Sequence, residues 1–180
     1  MTQFIPIQAV NIPILPIELQ PCLKSSYSQL SWESFLRDFQ SAPRTLTHGD
    51  LHAGNIMWMK NGKRVMLFDW ENVGWGSGPA ELCTFVIWSL DLKEFNREVQ
   101  LNLIRSYYDH LVSDNPAVKE DLDFDLCWKE FVYGGFQYFI NQLPFMIENM
   151  PEVLRYCVDQ LNIFREDHGI VPEKLGPPRF

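Results

Sequence analysis

No glycine occurs among the first 47 residues. A glycine-rich loop of the kind that wraps nucleotide phosphates therefore has no place there. The only basic residues in that stretch are Lys24, Arg37 and Arg44, and none lies in a Val-Ala-Ile-Lys type of strand. Basic residues are scarce throughout: 15 Lys and Arg against 23 Asp and Glu leave a net charge of −8. That balance argues against a nucleic-acid partner, whose phosphates attract basic surfaces. It suits solubility, or more weakly a cationic ligand. Cys-x-x-Cys pairs are missing; Cys22, Cys83, Cys127 and Cys157 stand far apart, which argues against zinc. Reduced, buried thiols of a cytoplasmic protein are the expectation. No apolar run is long enough to span a membrane, and the start holds several prolines and no basic leader. Gly-x-Ser-x-Gly and His-Glu-x-x-His are absent too, so a hydrolase elbow and a zinc protease have no support.

What is present is enough for one domain: 180 residues, 46% hydrophobic and 14% aromatic. Residues 1–30 are expected to be largely irregular, because Pro6, Pro13, Pro16 and Pro21 remove backbone donors. Ser31 is a cap for a short helix carrying Phe35 and Phe39, closed by Ser41-Ala42-Pro43. Thr45 and Thr47 fit a short extended piece. Ile56–Met59 and Arg64–Phe68 read as two strands around Asn61-Gly62, a strong hairpin signal. Gly74, Gly76, Gly78 and Pro79 read as a loop. Helical spacing then predicts helices over 80–90, 94–112, 121–142 (interrupted at Gly134-Gly135) and 151–166. The tail, 169–180, is expected to be loose.

The chemistry concentrates in His48-Gly49-Asp50-Leu51-His52-Ala53-Gly54-Asn55, followed across the hairpin by Asp69. Phosphoryl transfer needs a base that orients the attacking hydroxyl and oxygen ligands that fix a metal against the phosphates. Asp50 suits the first task. Asn55 and Asp69 suit the second, since magnesium takes oxygen ligands and few protein contacts. The hairpin brings Asn55, at its start, beside Asp69, at its end. His48 reads as a structural support for the loop. His52, two residues after Asp50, either touches the transferred group or is an exposed loop residue. Glu71 is either a metal or substrate contact or a solvated carboxylate. Trp70, Trp75, Trp88, Tyr133, Phe136 and Tyr138 offer ring faces to a cationic substrate, with core packing as the ordinary alternative for Trp88 and Phe136. His110 and His168 stand away from this cluster and read as surface or cap residues.

At LTHGDLHAGNIMW and VMLFDWENVGWGSGPAEL the sequence resembles the aminoglycoside phosphotransferase and choline kinase-like family, built like the protein kinases. The resemblance implies a mostly helical α+β fold. It is the kinase-like C-terminal lobe, spanning 31–168, with its catalytic loop at 46–55, a short β-hairpin at 56–69 and helices over 79–168. It also implies ATP and Mg2+ as cofactors and a small-molecule hydroxyl as acceptor. Asp50 would be the catalytic base, Asn55 and Asp69 the magnesium ligands, and Glu81 the acidic residue that supports the loop, where the family has Asp. The family's smaller, sheet-rich lobe, which supplies a glycine-rich loop and a phosphate-pairing Lys, is not seen before His48. The expectation is a C-terminal lobe alone: a fragment, or a degenerate relative. Its exposed face would be covered by the missing lobe or by a partner chain. Two readings follow, an ATP-dependent small-molecule kinase and an inactive kinase-like lobe that binds a ligand or a protein.

Overall fold

The computed structural model describes residues 15, 17–60, 62 and 64–177. Within them the chain is mostly helical with two small antiparallel ribbons. The first element is a correction to the irregular stretch expected over 1–30. Residues Gln20–Ser28 form helix α1, and Pro21 stands in its first turn, where a missing N–H costs nothing. Leu19, Cys22 and Leu23 anchor α1 in the core. Helix α2, Trp32–Phe39, starts at the expected Ser31, whose side chain accepts from the Ser34 amide in a reciprocal capping box.

Strand β1, Thr45–Thr47, pairs antiparallel with β4, Gly74–Gly76. The stretch expected to be an irregular glycine loop is thus half of a ribbon. Strands β2, Ile56–Trp58, and β3, Val65–Leu67, form the expected hairpin, with Ile56 opposite Leu67. Gly62 holds φ +63° in its turn, while Asn61 lies outside the described residues.

Helices α3 (Gly78–Ser89), α4 (Arg97–Asp114), α5 (Val118–Asp121), α6 (Phe124–Lys129), α7 (Gly135–Asn149) and α8 (Pro151–His168) complete the fold. Side-chain caps at Ser77, Asn96 and Asp123 start α3, α4 and α6 by accepting from backbone amides two or three residues on. The third helix expected from sequence begins at Phe124 rather than 121 and runs to Asn149 rather than 142. Gly134-Gly135 does not break it; a single π turn, Glu130–Gly134, carries the chain through.

Phe131, Phe136, Phe139, Ile140, Leu143, Leu161 and Phe164 are fully buried where α7 meets α3 and α8. Gly135 lets α7 lie directly on α3: a Cβ there would overlap Cys83 Cβ and stand 3.1 Å from the Ala80 carbonyl oxygen. All four cysteines are free and buried. Gly169, at φ +58°, closes α8, and the Ile170 amide reaches back to the Arg165 carbonyl at 2.9 Å.

The described part of the tail is packed rather than loose. Ser25 Oγ donates to the Pro172 carbonyl at 2.7 Å and Gln29 Nε2 to the Leu175 carbonyl at 2.7 Å. Ile170 and Leu175 are buried. His168, expected at the surface or at a cap, stands half-buried in the last turn of α8 and packs on Phe164 (ring centroids 4.3 Å apart) and Trp128 (5.4 Å), with Nε2 2.9 Å from Gln100 Oε1. His110, in contrast, is exposed. No helix of the described residues is long and apolar enough to cross a membrane.

Candidate active site

Gly49 is the fixed point of the loop that carries Asp50. Its φ is +81°, a region that side chains strain to enter, and a Cβ there would overlap the Asn72 carbonyl oxygen. Its amide donates to Glu81 Oε1 at 2.7 Å. The His48 amide donates to the same carboxylate, which sits in the first turn of α3. Burial pushes the Glu81 carboxyl above the usual range, while those two amides and the charge of His48 pull it back. The Gly49 carbonyl accepts from Tyr138 Oη at 3.2 Å. Gly49 is thus held on its amide by α3 and on its carbonyl by α7, with the turn at Asn72 close against its Cα.

His48, expected to support the loop, is 2% exposed. Its Nε2–H donates to the Phe68 carbonyl at 2.8 Å, and its ring lies 4.6 Å from that of Trp70. The two residues flanking Asp69 are therefore both held by the loop of Asp50. Asp69 itself adopts φ +65°, ψ +57°, the left-handed region, uniquely among the described non-glycine residues. That conformation costs roughly 1–2 kcal/mol for an L-residue, and such strain concentrates at functional sites.

Asn55 is buried and closes the arrangement from the other side. Its Nδ2 donates to the Asp50 carbonyl at 3.0 Å and stands 3.5 Å from Asp50 Oδ2. Its own carbonyl accepts from the Phe68 amide at 3.2 Å, which continues the β2–β3 ladder to the residue beside Asp69. The amide nitrogen is committed to Asp50, so Asn55 Oδ1 is the end that can face a cation. Asp50 keeps its side chain 47% exposed, accessible to an incoming hydroxyl.

His52 does a local task. Its Nδ1 accepts from the Gly54 amide at 3.0 Å and caps the single turn Ala53–Asn55, leaving Nε2 3.8 Å from Asp50 Oδ2. The Ala53 amide is tied to Ser89 Oγ at 2.9 Å, a contact that gave no signal in the sequence. Glu71 is exposed on the turn after Asp69. It completes no cluster: among the described residues no three His, Cys, Asp or Glu side chains gather to hold a metal. Of the aromatic candidates, Phe136 is core and Trp88 packs on Phe139 at 5.6 Å, whereas Trp70 and Trp75 are 44% and 71% exposed. Tyr138 turns out to hold the loop. In the sequence it stood only among the ring faces offered to a cationic substrate, and nothing there pointed to its hydroxyl holding the loop.

No curated protein and no solved structure gave a significant match to the chain. A family model does match, over residues 23–119, a span that contains Asp50, Asn55, Asp69, Glu81 and both ribbons. The family is kinase-like, which carries the resemblance read from the His-Gly-Asp motif at that level and gives it a different specific label. On that match, the chain belongs to the ecdysteroid kinase-like family.

Proposed function

We propose that this chain is the C-terminal lobe of an ATP-dependent phosphotransferase that acts on a hydroxyl of a small molecule in the cytoplasm. The observation that carries the reading is the joining of two segments 14 residues apart: His48 binds Phe68 and packs on Trp70, while Asn55 binds Asp50. Asp50 orients the acceptor hydroxyl and takes its proton. Asn55 Oδ1 and the Asp69 carboxylate are the oxygen donors that would hold magnesium, a pair sufficient for an ion that keeps water and phosphate oxygens as its other ligands. When bound, that ion neutralises the charge of the transferred phosphoryl group. Glu81 and His48 hold the loop so that little reorganisation is needed at the moment of transfer. The family's name directs the search for an acceptor to steroid alcohols. The acidic balance leaves amine-bearing alcohols in the same screen.

A second reading rests on the ribbons. Leu46, Met57, Trp58, Val65, Met66 and Trp75 are each at least 47% exposed. An apolar surface of this kind favours association, either with a lobe that covers ATP or with a partner of an inactive binding module. Calorimetry with Mg-ATP and an ATP-consumption assay with candidate alcohols separate the two. The kinase reading expects metal-dependent nucleotide binding, and turnover that Asp50→Asn and Asp69→Ala abolish. Unchanged ATP consumption in both variants removes the assignment of these residues. No nucleotide binding favours the module.

A further inference from the structure

We infer that Tyr138 is a positioning residue for Asp50, acting through the Gly49 carbonyl; this rests on the phosphotransferase reading of the loop. Asp50 follows Gly49 directly, so the orientation of the 49–50 peptide unit sets where the Asp50 carboxylate points. The Gly49 carbonyl belongs to that unit, and the Gly49 amide belongs to the 48–49 unit before it. Glu81 holds the amide and Tyr138 holds the carbonyl, at 2.7 and 3.2 Å. The φ and ψ of Gly49 are the two soft rotations between these units, and an anchor on each unit restrains both; without Tyr138 the 49–50 unit can turn while Glu81 still holds the 48–49 unit.

Two features of the fold aim the tyrosine. The π turn Glu130–Gly134 adds one residue to the helix path immediately before α7, which changes the face on which Tyr138 emerges. Gly135, one helical turn before Tyr138, seats α7 against Ala80 and Cys83 of α3, the helix that carries Glu81. The close approach of α7 to α3 therefore delivers both anchors to one glycine. Tyr138 is largely buried, and burial together with the nearby charges of Glu81 and Asp50 pushes its hydroxyl above the usual range. The phenol keeps its proton and remains a donor to the carbonyl at any physiological pH.

The test uses the full chain and Tyr138→Phe, which keeps the ring and its packing and removes only the donor. Ser25→Ala is the control. That side chain also donates to a backbone carbonyl, Pro172 at 2.7 Å, in the contact of α1 with the C-terminal segment. Hydrogen exchange of the segment 47–55 is expected to quicken about tenfold in Tyr138→Phe and to stay unchanged in Ser25→Ala. Where a substrate is turned over, kcat is expected to fall about tenfold in Tyr138→Phe with KM for ATP unchanged. Unchanged exchange at 47–55, or an unchanged kcat, overturns the inference. A wild-type chain that binds no Mg-ATP and turns over no alcohol refutes the phosphotransferase reading instead. Exchange then decides the Tyr138 anchor separately.

Discussion

His168 makes the acid stability of this fold calculable. It ends α8, where the negative end of the helix dipole favours a cation by about 0.3–1 kcal/mol. Burial among Trp128, Phe164 and Gln100, with the Arg97 guanidinium nearby, outweighs that and lowers its pKa from 6.5 to about 4. The sign follows from proton counting. Between those values the unfolded chain binds a proton that the folded chain refuses, so stability rises with pH. The contribution is fully present above pH 6.5 and is lost as pH falls towards 4. Between pH 7.5 and pH 5 the two pKa values give a loss of about 2 kcal/mol from this residue alone. Urea unfolding at both pH values measures it, as the difference between wild type and His168→Gln, a variant whose amide can still donate to Gln100. With a urea slope of about 2 kcal/mol/M, the wild-type midpoint is expected to drop about 1 M more than the variant's. Equal drops in the two proteins would refute the buried, neutral imidazole.

Gly135→Ala sets helix propensity against packing. An exposed helical Gly→Ala gains about 1 kcal/mol, but here the new methyl meets Cys83 and the Ala80 carbonyl in a packed core, so a net destabilisation of about 2 kcal/mol is expected by thermal or urea unfolding. A stabilised Gly135→Ala would show that α3 and α7 do not touch there. Glu81→Ala removes the shared acceptor of the Gly49 and His48 amides. It is expected to cost about 2 kcal/mol and to raise exchange across 47–55, read by unfolding and hydrogen exchange on the same sample.

The parts legible in the sequence are those written in local chemistry. Ser31, Asn61-Gly62 and the periodic apolar residues after Pro79 each constrain their own neighbours, so α2, the β2–β3 hairpin and the larger helices could be read off with ends shifted by a few residues. The prolines near the start misled the reading of α1, because Pro21 in a first turn is compatible with a helix and looks the same in sequence as a proline that breaks one. Glycines 74 and 76 read as a loop, since their pairing partner is a strand nearly 30 residues earlier and no local signal announces it. His168 read as a surface or cap residue because its burial depends on α4 and α6, remote in sequence. The π turn escaped notice for a related reason: the consecutive glycines that suggested a break serve close contact with α3.

By itself the sequence determined the identities at the site: an Asp after a His-Gly pair, an Asn five residues on, an Asp at the end of the next strand. It determined the hairpin too, because a turn signal and two short apolar runs are enough for chain neighbours to pair. Only the tertiary structure decided what holds that chemistry in place. The grip of Glu81 and Tyr138 on one glycine, and of His48 on Phe68, joins residues 20 to 89 positions apart. Contacts at that separation arise from how helices pack, and packing is a property of the whole chain rather than of any stretch of it.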